Sequence, residues 1–207
     1  MKKLLLIIVY GAFTGCATSH INYQVINPPD HFYKNILVLY IEGELNFFEL
    51  DEETYQKELI GRYNNLENIE YRQHLEQSLS RNINRLSTKI TKSSHVYPLN
   101  QRVSYTEFLE KIENEQVEAI LLVNLDKYWY ETSSSFNSHT GEYYQDSEPN
   151  ASYLFYLIDV KTLKPVCMGV SRILGLWAGY DTLTNKFALS IARTLHRQKF
   201  VFITLKG

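Results

Sequence analysis

Two nearly continuous apolar runs restrict what this chain can fold into. Residues 35–41 read Asn-Ile-Leu-Val-Leu-Tyr-Ile, and residues 117–125 read Val-Glu-Ala-Ile-Leu-Leu-Val-Asn-Leu. Runs of this length without polar alternation are typical of strands buried on both faces of a sheet. Such strands occur where helices pack on the sheet, so the two runs favour an α/β or α+β architecture.

Three further stretches carry the spacing of amphipathic helices. Five apolar residues at spacings of 4, 4, 3 and 4 predict a helix over residues 69–91: Leu75, Leu79, Ile83, Leu86 and Ile90. Ser104 and Glu107 match a capping box, which predicts a helix from there to about Asn114. A terminal helix is predicted from the apolar residues Leu183, Phe187, Ala188, Ile191, Ala192 and Leu195.

The second half of the chain predicts antiparallel strands. Residues 151–160 and 164–177 have strand character, and the short polar connection between them predicts a tight hairpin. Residues 127–130 extend the second apolar run, and residues 132–150 are predicted as a loop or a long hairpin tip.

Three shorter predictions complete the first half and the end of the chain. Residues 95–99 and 200–203 are predicted as short strands, and residues 42–68 as a long loop with a short helix at about 52–60. In sum, this order of elements predicts an α/β (α+β) fold. We expect a mixed sheet of about four to five strands with three helices packed on it.

The composition is that of one globular domain. The 207 residues are 44% hydrophobic and 14% aromatic, which excludes a disordered chain. With 21 basic and 23 acidic residues, the net charge of −2 argues against a general nucleic-acid binder, which needs a basic face.

The first sixteen residues have the features of an export signal. Lys2 and Lys3 precede an apolar run at residues 4–10, which is too short to span a bilayer as a helix. The sequence Phe13-Thr14-Gly15-Cys16 follows and resembles the lipobox of bacterial lipoproteins. The family pattern prefers Leu where this chain has Phe13.

The lipobox resemblance implies cleavage and lipidation of the chain, and a location at a membrane. It implies removal of residues 1–15, a diacylglycerol on the Cys16 sulfur and a fatty acid such as palmitate on the new amino terminus. Several acyl chains give firm membrane anchoring. Ala17 rather than Asp after the cysteine favours the outer membrane, and we expect the domain to face the periplasm. The alternatives are an ordinary secretory signal cleaved near this point and an uncleaved inner-membrane anchor.

Residues 16–33 are predicted to be a lipidated, flexible tether. The segment is polar, and Asn27-Pro28-Pro29-Asp30 interrupts regular structure. The globular domain is then expected to span residues 34–207. If Cys16 carries lipid, Cys167 has no partner for an intramolecular disulfide, and its apolar surroundings predict a buried structural thiol.

The layout resembles a group of small periplasmic lipoprotein domains. Three stretches carry the likeness: the strand at 36–41 with the helix after it, the helix-to-strand passage at 113–123, and the strand, turn, strand and helix at 156–192. They resemble the amino-terminal domain of the Tol-system translocation protein, the curli secretion lipoprotein and the lipoprotein activator of penicillin-binding proteins. Over about residues 34–201 the resemblance implies a non-enzymatic scaffold or accessory role, by analogy of fold.

Residues for chemistry are scattered. The six histidines have no metal-ligand spacing: His20, His31, His74, His95, His139 and His196. Catalytic serine motifs and phosphate-binding glycine loops are absent from the sequence. The carboxylates at residues 49–53 lack the pattern of a calcium loop and are expected to be solvated. We therefore expect no catalytic residues, metal, cofactor or nucleotide.

One aromatic cluster is the candidate binding region. Its residues flank the polar stretch at 132–150: Tyr128, Trp129, Tyr130, Phe136, Tyr143 and Tyr144. Tyr and Trp are enriched at interface hot spots, but aromatic pairs also stabilise hairpins without any partner. The leading prediction is a scaffold that binds another envelope protein. The alternative is a periplasmic or surface protein that binds a glycan or peptide through residues 128–144.

Overall fold

Six strands form one mixed sheet in the order β1-β6-β5-β4-β2-β3. The structure is a computed structural model that describes residues 17–83, 88–175 and 179–202, without the side chain of residue 137. The strands are β1 (Ala17–Val25), β2 (Asn35–Glu42), β3 (Lys89–Lys92), β4 (Ala119–Asn137), β5 (Glu142–Asp159) and β6 (Lys164–Gly175). The helices are α1 (Glu52–Thr54), which continues as a π-helical turn (Tyr55–Leu59), α2 (Ile69–Ile83), α3 (Ser93–Val96), α4 (Tyr105–Asn114) and α5 (Tyr180–Arg197).

The predicted fold class is confirmed, with more strands than expected. β2 pairs in parallel with both β3 and β4, and the pairs β4–β5, β5–β6 and β6–β1 are antiparallel. Parallel pairs thus occur in the first half of the chain, where helical crossover connections are predicted, and antiparallel pairs occur where a hairpin is predicted. The sheet has six strands instead of four to five because two segments expected to be tether and helix form β1 and β3.

β1 corrects the prediction of a flexible tether over residues 16–33. Its nine residues pair with β6 from Ala17 opposite Gly175 to Val25 opposite Cys167. Inward and outward side chains alternate along the strand, because Ile21 and Tyr23 pack on the core while His20 and Asn22 are exposed. The polar half of this pattern concealed the strand in the sequence. Cys16 and the predicted signal peptide lie outside the described residues.

The predicted helix over residues 69–91 ends earlier. The described part of α2 is Ile69–Ile83, residues 84–87 lie outside the described residues, and Ile90 lies on β3, where it pairs with Ile36. Thr88 and Thr91 are β-branched and buried, and the hydroxyl of Thr88 donates to the Tyr33 carbonyl at 2.8 Å. Leu86 lies outside the described residues. The spacing of Ile90 fits a helix, but tertiary pairing with β2 decides its structure.

Two other short strands were also predicted wrongly. The first half of residues 95–99 belongs to α3, which the carboxylate of Glu76 holds by accepting from the hydroxyls of Ser93 and Ser94 at 2.6 Å each. Phe200 and Val201 are buried without strand pairing, and the Phe200 carbonyl accepts from the Tyr33 amide at 2.9 Å. Residue 203 lies outside the described residues.

Helices cover the two faces of the sheet unequally. On one face, α2 and α5 pack on a core that includes Val38 and Phe155, and we call this the helical face. On the other, α4 and the α1–π segment pack on Leu39 and Leu122. β2 is therefore buried on both faces, as predicted. The capping prediction is also confirmed at Ser104, whose hydroxyl accepts from the Glu107 amide at 3.2 Å.

β4 and β5 extend beyond the rest of the sheet. The pairing of β5 with β6 ends at Asn150, opposite Leu174. From there residues 130–137 pair only with residues 142–149, and Gly141 turns the chain with φ +72°. We call residues 130–149 the arm. Its eight residue pairs extend roughly 27 Å, at about 3.4 Å per residue. Of the two predictions for residues 132–150, the hairpin is correct.

Candidate functional site

The arm has two chemically different faces. Paired residues of neighbouring strands point to the same side, so the register assigns each pair to a face. One face carries uncharged pairs, and we call it the aromatic face: Tyr130–Pro149, Thr132–Ser147, Ser134–Gln145 and Phe136–Tyr143. The acidic face carries Glu131–Glu148, Ser133–Asp146, Ser135–Tyr144 and Glu142, which pairs with residue 137. The arm is thus a ribbon with one neutral and one negatively charged side.

The aromatic face is open to solvent. Tyr143 is 80% exposed, Tyr130 61% and Phe136 55%. Phe136 and Tyr143 contact each other across the strands with ring centroids 4.8 Å apart. The hairpin packing that the sequence left as one possibility therefore occurs, and it leaves most of both rings free to contact a further surface.

A chain of tyrosines joins the arm to the core. The Tyr128 hydroxyl donates to that of Tyr130 at 3.2 Å, and the Tyr128 ring lies 5.9 Å from the ring of Tyr180 at the start of α5. The Tyr180 hydroxyl lies 3.3 Å from that of Tyr40, which donates to the Glu42 carboxylate at 2.6 Å. Burial raises the pKa of both Tyr40 and Tyr180, so these phenols stay protonated at neutral pH. The base of the arm is therefore fixed by ring packing and hydrogen bonds.

The structure divides the six predicted binding residues between the two sides of the ribbon. Tyr128, Tyr130, Phe136 and Tyr143 lie on the helical face and its continuation, the aromatic face. Trp129 and Tyr144 lie on the opposite side, where the Tyr144 hydroxyl donates to Glu142 at 2.7 Å. Their closeness in the sequence predicts a single group. The alternating carboxylates, which give the acidic face, were the signal that would have separated them.

The arm also carries the charge imbalance of the chain. Residues 130–149 contain four carboxylates and no Lys or Arg. Without residues 1–15 the chain has 19 basic and 23 acidic residues, so the rest of it is balanced. Glu131 lies directly opposite Glu148, an arrangement of like charges that destabilises a strand pair. A partner or ligand with positive charge would relieve this repulsion.

A cleft lies at the base of the arm, on the side of the sheet opposite α2 and α5. Here the outer part of β4, β5, β6 and β1 is not covered by α4 or the α1–π segment. The cleft has a volume of about 710 Å³, and its hydrogen-bonding lining includes His20, Asn22, Asp126, Lys127, Trp129 and Arg172. These residues are far apart in the sequence and come from four different strands, so no spacing in the sequence predicts the cleft.

Other candidate groups serve the fold. Cys167 is buried, and burial raises the pKa of its thiol to about 11, which keeps it protonated and unreactive at neutral pH. In the acidic stretch at 49–53, Asp51 caps α1 by accepting from the Thr54 amide at 2.7 Å, which lowers its pKa. Glu49 lies 3.3 Å from the Lys164 ammonium. In the described part of the chain, no three His, Cys, Asp or Glu side chains are grouped as metal ligands would be.

Comparisons with known proteins find similarity only at the level of solved structures. No family model and no curated protein matches this chain. The PelC dodecamer from Paraburkholderia phytofirmans aligns at 14% identity and TM-score 0.46, over 88% of this chain and 98% of that one. Lipoprotein GNA1162 from Neisseria meningitidis aligns at 12% identity and TM-score 0.39, over 79% of this chain and 98% of that one. A minor lipoprotein from Acinetobacter baumannii aligns at 8% identity and TM-score 0.35, over 83% of this chain and 98% of that one. At these values the likeness assigns neither family nor function.

Proposed function

We propose that this protein is a lipid-anchored, non-enzymatic scaffold or accessory subunit of the bacterial envelope. It binds another envelope protein through the aromatic face of the arm, and it is anchored by Cys16 in the outer membrane, facing the periplasm. The observation that carries the proposal is the free-standing arm with three exposed aromatic rings on its uncharged side.

The stability of a two-stranded ribbon supports binding. An isolated pair of strands is only marginally stable in water unless its surface packs on something else. Thr132, Ser134 and Phe136 are all exposed, and in this part of the sheet β4 pairs only with β5. Tyr and Phe side chains bury a large area at a small cost in side-chain entropy, so such a surface gains binding energy when a partner covers it.

The position of the amino terminus supports a partner at the membrane. Ala17, the first residue of β1, pairs with Gly175 at the end of the sheet where the arm begins. Cys16 directly precedes it. Acyl chains on Cys16 would therefore hold this end of the domain, and the arm with it, close to the bilayer. Among the described residues no helix is both long and apolar enough to cross a membrane.

Chemical cross-linking in living cells tests the proposal. The tagged, lipidated protein is cross-linked, and its adducts are identified by mass spectrometry. We expect one dominant envelope protein, lost in the double variant Phe136→Ala/Tyr143→Ala and retained in Tyr144→Ala, which removes a ring from the other side. A Cys16→Ala variant, which cannot be lipidated, should also lose the adduct. Recovery of the monomer alone would overturn the proposal.

A further inference from the structure

Three side chains able to carry positive charge lie in one row across the cleft. The register pairs Lys127 with Ser152, Ser152 with Arg172, and Arg172 with His20. Paired residues point to the same side, and neighbouring strands are about 4.8 Å apart. Arg172 and His20 are therefore one strand apart, and Lys127 is two strands away from Arg172 on the other side of Ser152.

Within the described residues no ion pair occupies this row, although Asp126 lines the same cleft and Glu131 lies two residues beyond Trp129 on the same side of β4. Lys127 and Arg172 are exposed and form no ion pair or side-chain hydrogen bond with any residue of the described ranges, and the same is true of Asp126 at the edge of the cleft. The guanidinium of an arginine presents a planar set of donors that matches a carboxylate. The row is thus suited to an anionic group.

The other residues of the cleft restrict the class of anion. The carboxylate of Asp126 can only accept hydrogen bonds, so a ligand beside it must carry donors as well as its negative charge. The half-buried Trp129 lies next to Lys127 on the same side of β4, and Val170 and Leu174 add apolar surface. An indole ring packs against flat C–H surfaces. A carboxylate, several hydroxyl donors and a C–H face occur together in an acidic sugar.

We infer that the cleft binds an acidic saccharide, with its carboxylate at Arg172 and Lys127 and a sugar ring against Trp129. The Asp126 carboxylate accepts hydrogen bonds from the sugar hydroxyl groups, and the Asn22 amide donates to or accepts from them. This site lies on the other side of the sheet from the aromatic face, so it is separate from the proposed protein-binding surface. A failure of either proposal leaves the other standing.

Fluorescence titration of the mature, lipidated protein in detergent tests this inference. Trp177, the second tryptophan of the sequence, is replaced by Phe so that the emission reports on Trp129. The probes are the trimers of galacturonate, glucuronate and mannuronate, with neutral galactotriose and inorganic polyphosphate as comparisons. We expect saturable change of Trp129 emission with at least one uronate trimer, weakened by added salt.

Matched variants locate the site. We expect Arg172→Gln to weaken uronate binding roughly tenfold or more, because a charged hydrogen-bonded pair is lost. Lys127→Gln should weaken it as well, and Arg193→Gln, on the exposed side of α5, should not. Denaturant midpoints equal to that of the parent protein confirm that each variant folds. No response to any uronate trimer would overturn the inference. So would an equal response to galactotriose or polyphosphate, or equal affinities of the Arg172→Gln and Arg193→Gln variants.

Discussion

The ring of Phe136 packs on the ring of Tyr143 across the arm, with centroids 4.8 Å apart and more than half of each side chain exposed. The contact fixes two aromatic side chains in place without burying them. A surface that is ordered before binding loses less side-chain entropy when a partner covers it. We therefore expect a partner that covers this pair to gain more binding free energy there than elsewhere on the arm.

Removing this pair should cost little stability. We expect Phe136→Ala/Tyr143→Ala to lower the free energy of unfolding by less than about 1 kcal/mol, which is the scale of one cross-strand pair. Tyr153→Ala is the contrasting variant, since Tyr153 is buried and stacks on Phe187 at 4.4 Å. Its loss should cost roughly 3–5 kcal/mol. Urea unfolding followed by circular dichroism measures both, and equal losses would contradict the exposed position of the arm pair.

Gly169 is required for β1 to pair with β6. A Cβ at this position would lie 2.8 Å from the Tyr23 Cα and 2.9 Å from the Phe155 ring, closer than real Cβ contacts. We expect Gly169→Ala to destabilise the protein by roughly 1–3 kcal/mol, as overpacking does. In the Gly169→Ala variant, amide hydrogen exchange in β1 should be faster than in the parent protein, whereas exchange in β2 should change less. Unchanged protection of β1 would show that it does not approach β6 this closely.

Glu76 organises the start of α3 from inside the core. Its carboxylate is fully buried and accepts from the Ser93 and Ser94 hydroxyls and, at 3.2 Å, from the Ser94 amide. Glu76→Ala leaves these donors without their acceptor and opens space in the core, and a buried unsatisfied group such as the Ser93 hydroxyl alone costs about 1–3 kcal/mol. We expect a total loss of roughly 3 kcal/mol or more in urea unfolding. Glu70→Ala, an exposed position on the same helix, is the control and should change stability by about 0.5 kcal/mol or less.

Buried phenols predict a loss of stability at alkaline pH. Burial raises the pKa of Tyr40, Tyr63, Tyr97 and Tyr153 above their ordinary value of 10. Above pH 10 the unfolded chain releases these protons while the folded chain keeps them, so the free energy of unfolding falls as pH rises. Below pH 10 both states hold the protons, and this contribution is constant.

A single substitution isolates one phenol. Each raised phenol should contribute about 1.4 kcal/mol per pH unit between pH 10 and its folded pKa. Tyr153→Phe should reduce the slope of stability against pH by about this amount relative to the parent protein. Urea unfolding between pH 8 and 11.5 measures both slopes, and an identical slope for the variant and the parent protein would be evidence against the buried-phenol explanation.

Local patterns predicted the elements whose stabilising contacts are near in sequence. The apolar run of β2 and the Ser104 cap of α4 are examples, and both are where the sequence indicates. β1 is not evident in the sequence because its structure depends on pairing with β6, from Ala17 opposite Gly175 to Val25 opposite Cys167, across the close approach at Gly169. Ile90 was assigned to a helix because its spacing fits one, while pairing with Ile36 makes it part of a strand.

Only part of the candidate site can be predicted from the sequence, because the rest depends on contacts between distant segments. The aromatic residues between 128 and 144 were recognised from composition, but their division between two faces depends on the register of β4 with β5. The cleft at Trp129 needed the register of four strands, which no spacing in the sequence reveals.

Site-specific photocross-linking from the arm tests the central claim most directly. A photoreactive amino acid is placed at Ser134, on the aromatic face, or at Ser133, its neighbour on the acidic face, in lipidated protein in living cells. We expect one dominant envelope-protein adduct from position 134, little from position 133, and loss of the adduct in the Cys16→Ala variant. Equal adducts from both positions, or none from either, would contradict partner binding through the aromatic face.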